Sequence, residues 1–390
     1  MISGTGGKVE DDAGDDLTQD EVFEEKLRET IDLATQKSAN GKQIFLQNCL
    51  RDQCAANFTL RVFPIKLLAI YIFDLGRVEA LNGLCRAFGK KFVPEFVDNR
   101  KITIQDIIER SLKKGKGSEQ IAAANLATSL CIQLRGDADD LYREIKPILI
   151  TLMTDKSASV LARISAATSL GNLCFLAAPA IVEVEAVMVV LEQTFTSPSS
   201  HTGDTLSLCT AALSAWTLLA TVLPMSRVHD LLVKHAELFG KLLDAPDVDL
   251  RIATGEAIAV LYEFLSESEE NDSDEEDSNV GDNRSKEELE RVVIAIDNLV
   301  PHLKELATDS QKSRSKKDRK EQKASFRDIL RTVEEGDGYY EKVAINKREK
   351  LEIESWAMKK QYEMVCKVRF CLDQYLISRI IIKYIKMNDS

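Results

Sequence analysis

The sequence has 390 residues, 44% of them hydrophobic, and a formal net charge of −12. It is long enough to bury a large core, as two or three domains or as one elongated repeat array. The eight cysteines form no CxxC pair, which argues against a zinc module or a disulfide framework and fits a reducing compartment. Proline is sparse, and long segments are rich in alanine, leucine, glutamate and lysine, so we predict an all-α protein.

The N-terminal segment is acidic and contains clusters of glycine and aspartate. It lacks the apolar core of a signal peptide, so an intracellular protein is expected. Residues 1–23 are predicted to be a disordered acidic N-terminus, and helical structure is predicted from residue 24 onwards.

A helical pattern recurs along the next part of the chain at intervals of 43 to 45 residues. Small residues stand mostly three and four places after the first residue of each copy, with Leu81 as an exception, and apolar residues follow at places seven and ten. This spacing puts the apolar side chains on one helix face and the small ones where a neighbouring helix approaches. The five copies begin at Arg77, Gln120, Arg163, Leu206 and Arg251.

A period of this length is typical of HEAT and armadillo repeats, in which stacked helix pairs share a continuous core. We therefore predict an armadillo- or HEAT-like α-solenoid over residues 24–265, in preference to a helical bundle with accidental periodicity. The uncharged run over residues 205–225 is long enough to span a bilayer, but it contains one of the copies. It is predicted to be a buried solenoid helix, and no membrane partner is expected.

An acidic segment follows the last copy, with nine acidic residues and no basic one over residues 267–282. A run of like charge repels itself, so residues 266–285 are predicted to be a disordered linker. Ser273 precedes three acidic residues, a context that suits acidophilic kinases, and an unmodified linker is an equal interpretation. Phosphorylation would add negative charge that competes for the basic stretch further along the chain.

The C-terminal helical region, predicted over residues 286–366, contains a stretch dense in lysine and arginine at its centre. On a helical projection, six cations fall within about a third of the circumference, beside an apolar face of Phe326, Ile329 and Val333. The row would be roughly 28 Å long, which suits several phosphates of a nucleic-acid backbone. Gly336 is placed to end the helix. The six cations are Lys312, Lys316, Arg319, Lys323, Arg327 and Arg331.

Composition alone leaves three interpretations of this basic stretch open: a solvated face paired with nearby acids, a nuclear import signal, or a contact with RNA phosphates. A second basic segment, with Lys113, Lys114 and Lys116, is predicted to lie on a glycine-containing turn before a repeat helix. It is not a P-loop, because the upstream glycine and the strand are missing. We take it as a further candidate for RNA contact.

The sequence offers no catalytic constellation. Its four histidines lack the spacing of metal ligands, and neither a nucleophile elbow nor a dinucleotide-binding glycine motif occurs. Missing motifs do not exclude an enzyme, but they make a binding protein without cofactor or small-molecule substrate the default expectation.

Several blocks together resemble the interferon-related developmental regulator family. The most specific is the basic block followed by FRDIL, and the resemblance covers most of the chain over residues 24–366. The matching blocks are residues 24–42, 103–134, 155–163, 247–263, 306–337 and 354–362.

The resemblance implies an armadillo-like helical protein without enzymatic activity. It implies one role on translationally inactive ribosomes, where the protein would occupy the tRNA sites and the mRNA channel. It implies an alternative role as a nuclear transcriptional co-regulator associated with deacetylase-containing corepressor complexes. A rigid solenoid with a cationic row suits the first role better, with ribosomal RNA and ribosomal proteins as partners and a cytoplasmic location.

For the ribosome-bound role, the basic residues are the predicted RNA contacts, and the resemblance places part of a C-terminal helix near the binding surface. The basic residues are Lys312, Arg314, Lys316, Lys317, Arg319, Lys320, Lys323, Arg327, Arg331, Lys113, Lys114 and Lys116. The helix contributes Trp356, Lys359 and Lys360.

Two segments depart from the family pattern. Residues 43–76 interrupt an expected direct join, and residues 367–390 replace the usual C-terminal helices. Both segments are apolar and unlike the sequence around them, so we predict an atypical insertion and an atypical tail. Our hypothesis is that they come from retained intron sequence or from an unusual isoform.

Overall fold

The computed structural model describes residues 19–35, 65–197, 203–271, 282–308, 316–344 and 350–368. Nearly all of these residues belong to α-helices. In chain order the helices are α1 (Gln19–Thr35), α2 (Ile65–Lys90), α3 (Pro94–Asp98), α4 (Lys101–Lys114), α5 (Ser118–Leu134), α6 (Asp139–Thr154), α7 (Val160–Ala177), α8 (Ile181–Thr196), α9 (Leu206–Ala220), α10 (Met225–Leu243), α11 (Val248–Asn271), α12 (Asp282–Thr308), α13 (Lys316–Glu335) and α14 (Trp356–Val368). The strands β1 (Glu341–Ala344) and β2 (Lys350–Ile353) form an antiparallel hairpin before α14.

Twelve of the helices form six consecutive pairs that stack side by side in two layers. The first helix of each pair lies in an outer layer, formed by α1, α4, α6, α8, α10 and α12. The second lies in an inner layer, formed by α2, α5, α7, α9, α11 and α13, in which each helix packs against the next one along the layer. Stacked helix pairs of this kind confirm the predicted all-α, armadillo- or HEAT-like solenoid.

All five copies of the sequence pattern lie in inner-layer helices, from α2 to α11. The residues at place seven are fully buried in every copy and form the centre of the core. Because equivalent places align from one helix to the next, the apolar faces merge into one continuous core. These residues are Leu84, Ala127, Leu170, Leu213 and Ile258.

Small residues bring the inner helices into close contact, as the pattern predicts. A Cβ on Gly171 of α7 would lie 2.6 Å from the Cβ of Ala215 in α9. On the other side of α7, the Ser169 hydroxyl donates a hydrogen bond of 2.8 Å to the carbonyl oxygen of Ala124 in α5. The spacing between inner helices is therefore set by the absence of large side chains at these places.

Replacing Gly171 by alanine should lower the free energy of unfolding by about 1–3 kcal/mol, because the added methyl group overlaps Ala215. The control is Gly240→Ala in α10, where a Cβ would lie 3.8 Å from Leu299 Cδ2, an ordinary contact. There the better helix propensity of alanine should raise that free energy by about 0.5–1 kcal/mol. Urea unfolding measures both values, and similar changes in the two variants would contradict a tight α7–α9 contact.

The solenoid continues one pair beyond the last predicted copy. Gln322 of α13 occupies the first place of the pattern, and the residues at places seven and ten, Ile329 and Thr332, are buried. The Nη2 atom of Arg251, at the first place of the preceding copy, donates a 2.6 Å hydrogen bond to Gln322 Oε1. The predicted C-terminal helical region thus begins with a sixth repeat.

Three predicted boundaries shift in the structure. Helix α1 begins at Gln19, within the predicted disordered N-terminus, and Phe23 packs against the core. Residues 266–271 and 282–285 of the predicted linker are helical, because neither glycine nor proline interrupts these glutamate-rich helix ends. Residues 65–76 of the predicted insertion are the first turns of α2. The rest of that insertion, Ser273 and residues 369–390 lie outside the described residues.

Two helices of the inner layer, α7 and α9, are strongly apolar. Among the described residues, one helix, α7, is long and apolar enough to cross a membrane, and 61% of it is buried. It lies between α5 and α9, as a core helix does. Helix α9, from the uncharged run, is largely buried in the same layer. Burial raises the thiol pKa of Cys131 to about 12 and that of Cys174 to about 11, so these cysteines pack as small hydrophobic residues.

Candidate nucleic-acid interface

Helix α13 is fixed to the solenoid by its apolar side. Phe326 and Ile329 are fully buried and Val333 is nearly so, in agreement with the predicted apolar face. Contact with α11 is close, since a Cβ on Gly255 would lie 2.7 Å from Ile329 Cδ1. The helix is therefore held as part of the sixth repeat, and its other side is presented in a defined orientation.

The two ends of α13 differ in how well they match the prediction. Its C-terminal end agrees, because Gly336 adopts a φ of 73° and donates its N–H to the carbonyl oxygen of Thr332 at 3.1 Å. The N-terminal end begins at Lys316. Lys312 and Arg314 of the predicted row lie outside the described residues.

Three cations of α13 are exposed among the side chains that the structure describes, Lys317, Lys320 and Arg327, which we call the basic stripe; the side chain of Lys316 is outside the described part. Arg319 and Lys323 are half-buried. The exposed cations therefore follow a line rotated from the row that the helical projection predicts. This rotation arises because the buried face extends to the side of α13 that packs on α12.

Arg331, the last cation of the predicted row, is partly neutralised within the protein. It lies 3.9 Å from a carboxylate oxygen of Asp328 and 3.8 Å from one of Asp337. An arginine between two carboxylates is less available to a phosphate than the three members of the basic stripe.

The second basic segment lies in the second helix pair, four pairs away from α13. Lys113 and Lys114 are exposed in the last turn of α4, which corrects their predicted place on a turn, and Lys116 is exposed on the turn that follows. Lys113 forms an ion pair with Glu109 one helical turn earlier. The structure does not bring this segment into contact with the basic stripe.

The structure corrects the placement of Trp356, Lys359 and Lys360 near an RNA-binding surface. They lie in a helix, as predicted, but α14 packs against α9 and α11 of the inner layer. Trp356 is 1% exposed, and its Nε1 donates a 2.8 Å hydrogen bond to Thr332 Oγ1. Lys360 is 5% exposed, and the Lys359 ammonium lies 4.8 Å from the Tyr339 ring centroid. Side chains engaged in this way are not available to phosphates.

Glu256 of α11 holds both lysines. Its two carboxylate oxygens accept hydrogen bonds from Lys359 Nζ at 3.0 Å and from Lys360 Nζ at 2.6 Å. Burial raises the pKa of Glu256, but Lys360 and then Lys359 outweigh it and lower the pKa to about 2. Glu363, 4.0 Å from Lys359 and 3.5 Å from Lys360, completes a largely buried ion cluster of two carboxylates and two ammonium groups.

The first turn of α14 is capped by two further side chains. The Glu263 carboxylate accepts hydrogen bonds from the N–H groups of Trp356 at 2.7 Å and Ala357 at 3.2 Å. Ser355 Oγ accepts the N–H of Met358 at 2.9 Å, as an N-cap serine does. The sequence analysis did not identify Glu256 as the partner of the two lysines or Glu263 as a cap of α14. Two acidic residues seven positions apart in an otherwise apolar repeat helix could have indicated that they bind another element. We call Glu256, Glu263, Trp356, Lys359 and Lys360 the α14 docking cluster.

Comparison with known proteins places the chain in a family. The sequence model of the interferon-related developmental regulators matches residues 74–334, from α2 to the last turn of α13. The chain belongs to this family. Human interferon-related developmental regulator 1 is 37% identical over 297 residues, covering 74% of this chain and 61% of the human protein. Mouse interferon-related developmental regulator 2 is 32% identical over 361 residues, covering 90% of this chain and 69% of the mouse protein.

The match spans less than two thirds of the length of the human regulator 1 protein, at 61%. An engineered protein of known crystal structure aligns with 80% of this chain and 97% of its own at a TM-score of 0.43 and 13% identity, a likeness too weak to inform function.

For this interferon-related developmental regulator, the family match includes the basic stripe but ends before α14. The relatives carry the names of regulators and not of enzymes. Within the described ranges, no group of three or more histidine, cysteine, aspartate or glutamate side chains is arranged to hold a metal ion.

Proposed function

We propose that this interferon-related developmental regulator is a non-enzymatic factor that binds translationally inactive ribosomes and blocks their tRNA sites and mRNA channel through contacts with ribosomal RNA. The observation that carries the proposal is the basic stripe, three exposed cations on a helix whose opposite side is buried in the last repeat. The protein acts by occupying space, so no catalytic group is required.

A fixed helix makes these cations more effective than the same residues on a loose chain, because the backbone loses little freedom on binding. Three phosphate contacts would give the logarithm of the affinity a slope of about −2 to −3 against the logarithm of the salt concentration. The chain as a whole is acidic, with a net charge of −12, and repels RNA elsewhere. The basic stripe therefore also decides which face turns toward RNA.

The triple variant Lys317→Glu, Lys320→Glu, Arg327→Glu should lose ribosome affinity by about a hundredfold or more, since each replaced contact becomes repulsive. Sucrose-gradient sedimentation with vacant ribosomes at increasing salt measures the loss. The matched control reverses Arg143, Arg227 and Lys241, three cations of the outer layer that are also exposed. Both variants change the net charge equally, and the control should still travel with the monosomes.

If the stripe variant sediments with monosomes as the unmodified protein does, while both remain folded, the basic stripe does not contact RNA.

The second candidate function is a nuclear scaffold for transcriptional co-regulation with deacetylase-containing complexes. Exposure of Lys317 and Lys320 favours it, because an import receptor could read them. In that case the unmodified protein should not sediment with ribosomes, and the stripe variant should move from the nucleus to the cytoplasm in imaging.

A further inference from the structure

A cleft with a volume of about 290 Å³ opens on the inner layer beside α14. It lies between α7, α9, the start of α11 and one side of α14, and no residue of the basic stripe lines it. Its walls include the aliphatic side chains of Ala211, Ala215, Leu218 and Met364.

One side chain in this cleft is buried without a partner. Asn172 of α7 is 6% exposed and lines the cleft, and its amide makes no hydrogen bond to any residue that the structure describes. The amide atoms are accessible from the cleft, so a bound ligand could reach them. Asparagine offers donors and an acceptor together, which is the combination that complements the N–H and C=O groups of a peptide backbone. The unpaired amide therefore points to a ligand that supplies backbone-like partners.

The charge at the cleft is negative. Asp249, in the first turn of α11, is exposed and forms no ion pair within the described part of the chain. Asp247 also lines the cleft and uses one carboxylate oxygen to cap α11. Glu363 lies 3.5 Å from Lys360 and 4.0 Å from Lys359, so it offsets the lysine charge that Glu256 alone does not balance, and Asp249 is left as the unpaired carboxylate among the described residues of the cleft. A phosphate backbone or an acidic segment would be repelled here, whereas a cationic side chain would be attracted.

We propose that this cleft binds an extended basic segment of a partner polypeptide. A lysine or arginine side chain would lay its aliphatic stem against Ala211, Ala215 and Met364 and place its cationic end at Asp249. The Asn172 amide would pair with the backbone of the segment. The proposal uses other residues than the basic stripe and does not depend on ribosome binding.

Fluorescence anisotropy with short labelled peptides tests the proposal on the full chain. Peptides in which lysine alternates with alanine should bind saturably, and peptides with glutamate in place of lysine should not. Asp249→Lys should weaken the binding of the lysine peptide by about tenfold. Asp139→Lys, which makes the same change at an exposed aspartate in the first turn of α6, should leave it unchanged. The stripe variant should also bind the lysine peptide normally, so that failure of the ribosome proposal would be seen separately.

Asn172→Ala separates a binding role from a structural one. It should weaken peptide binding by about threefold to tenfold, the equivalent of one or two hydrogen bonds. It should leave the melting temperature unchanged or raise it, because the amide makes no hydrogen bond within the described residues and alanine has the better helix propensity. Equal binding of lysine and glutamate peptides, or equal effects of the variants at Asp249 and Asp139, would overturn the proposal. A dimer that Asp249→Lys dissociates would assign the cleft to a second copy of the chain and would also overturn it.

Discussion

Replacing Arg251 by alanine should lower the free energy of unfolding of the solenoid by about 3–5 kcal/mol. Arg251 is 1% exposed, and its guanidinium connects three helices. Its Nε and Nη2 atoms donate to Gln322 Oε1 of α13 at 3.2 Å and 2.6 Å, and Nη1 donates to the carbonyl oxygen of Ala245 after α10. Alanine leaves a cavity where the side chain was and removes all three donors from buried acceptors.

Urea unfolding of Arg251→Ala measures the loss, with Arg227→Ala as the control. Arg227 has a side chain that is 60% exposed and pairs with Glu185 at 3.1 Å, so its removal should cost about 0–0.5 kcal/mol. A double variant with apolar residues, Arg251→Met and Gln322→Leu, should recover part of the stability, because the Gln322 amide is no longer buried without its guanidinium partner, while the carbonyl oxygens of Ala245 and Leu306 still lose their side-chain donors. If Arg251→Ala costs no more than Arg227→Ala, the guanidinium does not join the fifth and sixth repeats.

The first five repeats could be predicted because their chemistry is local and periodic. Each inner helix needs small residues at the same places to approach its neighbours, and apolar residues at the same places to fill the core, as Gly255 at place four and Leu170 at place seven show. The sixth repeat was missed because Gln322 follows Arg251 after 71 residues, a spacing lengthened by the acidic segment. Buried residues occur at the first place and at places seven and ten in α13, but a search for repeats at intervals of 43 to 45 residues does not detect them.

The surroundings of α14 could not be predicted in the same way. Trp356 and Lys360 are bound by Glu263 and Glu256, which precede them by 93 and 104 residues, respectively. No repeat connects these positions, and lysines next to a tryptophan in an amphipathic helix equally suit an exposed binding face. The prediction for α13 was correct in part. Its apolar docking face is where the pattern placed it, but the packing of α12 against α13 changes which cations are exposed.

Replacing Glu256 by alanine should release α14 from the inner layer while the six repeats stay folded. The variant removes the carboxylate that binds both lysines most closely and leaves two ammonium groups with the more distant Glu363, which should cost about 3–5 kcal/mol. The protein can avoid this cost by local undocking, since α14 is the last described helix and lies outside the paired layers. Hydrogen exchange of the amides in α14 should accelerate strongly, and the exchange of α7 and α9 should not change.

The control is Glu237→Ala, which removes a carboxylate from an exposed pair with Lys241 and should have almost no effect on hydrogen exchange.

Low pH should reproduce the effect of the Glu256 variant. The pKa of Glu256 is lowered to about 2, so its contribution is complete above the unfolded pKa of about 4.3 and is lost as the pH falls toward 2. Helix α14 should therefore remain docked at pH 5 and open progressively at lower pH. If Glu256→Ala instead lowers the stability of all six repeats together, α14 belongs to the cooperative core, and Lys359 and Lys360 could reach RNA only through global unfolding.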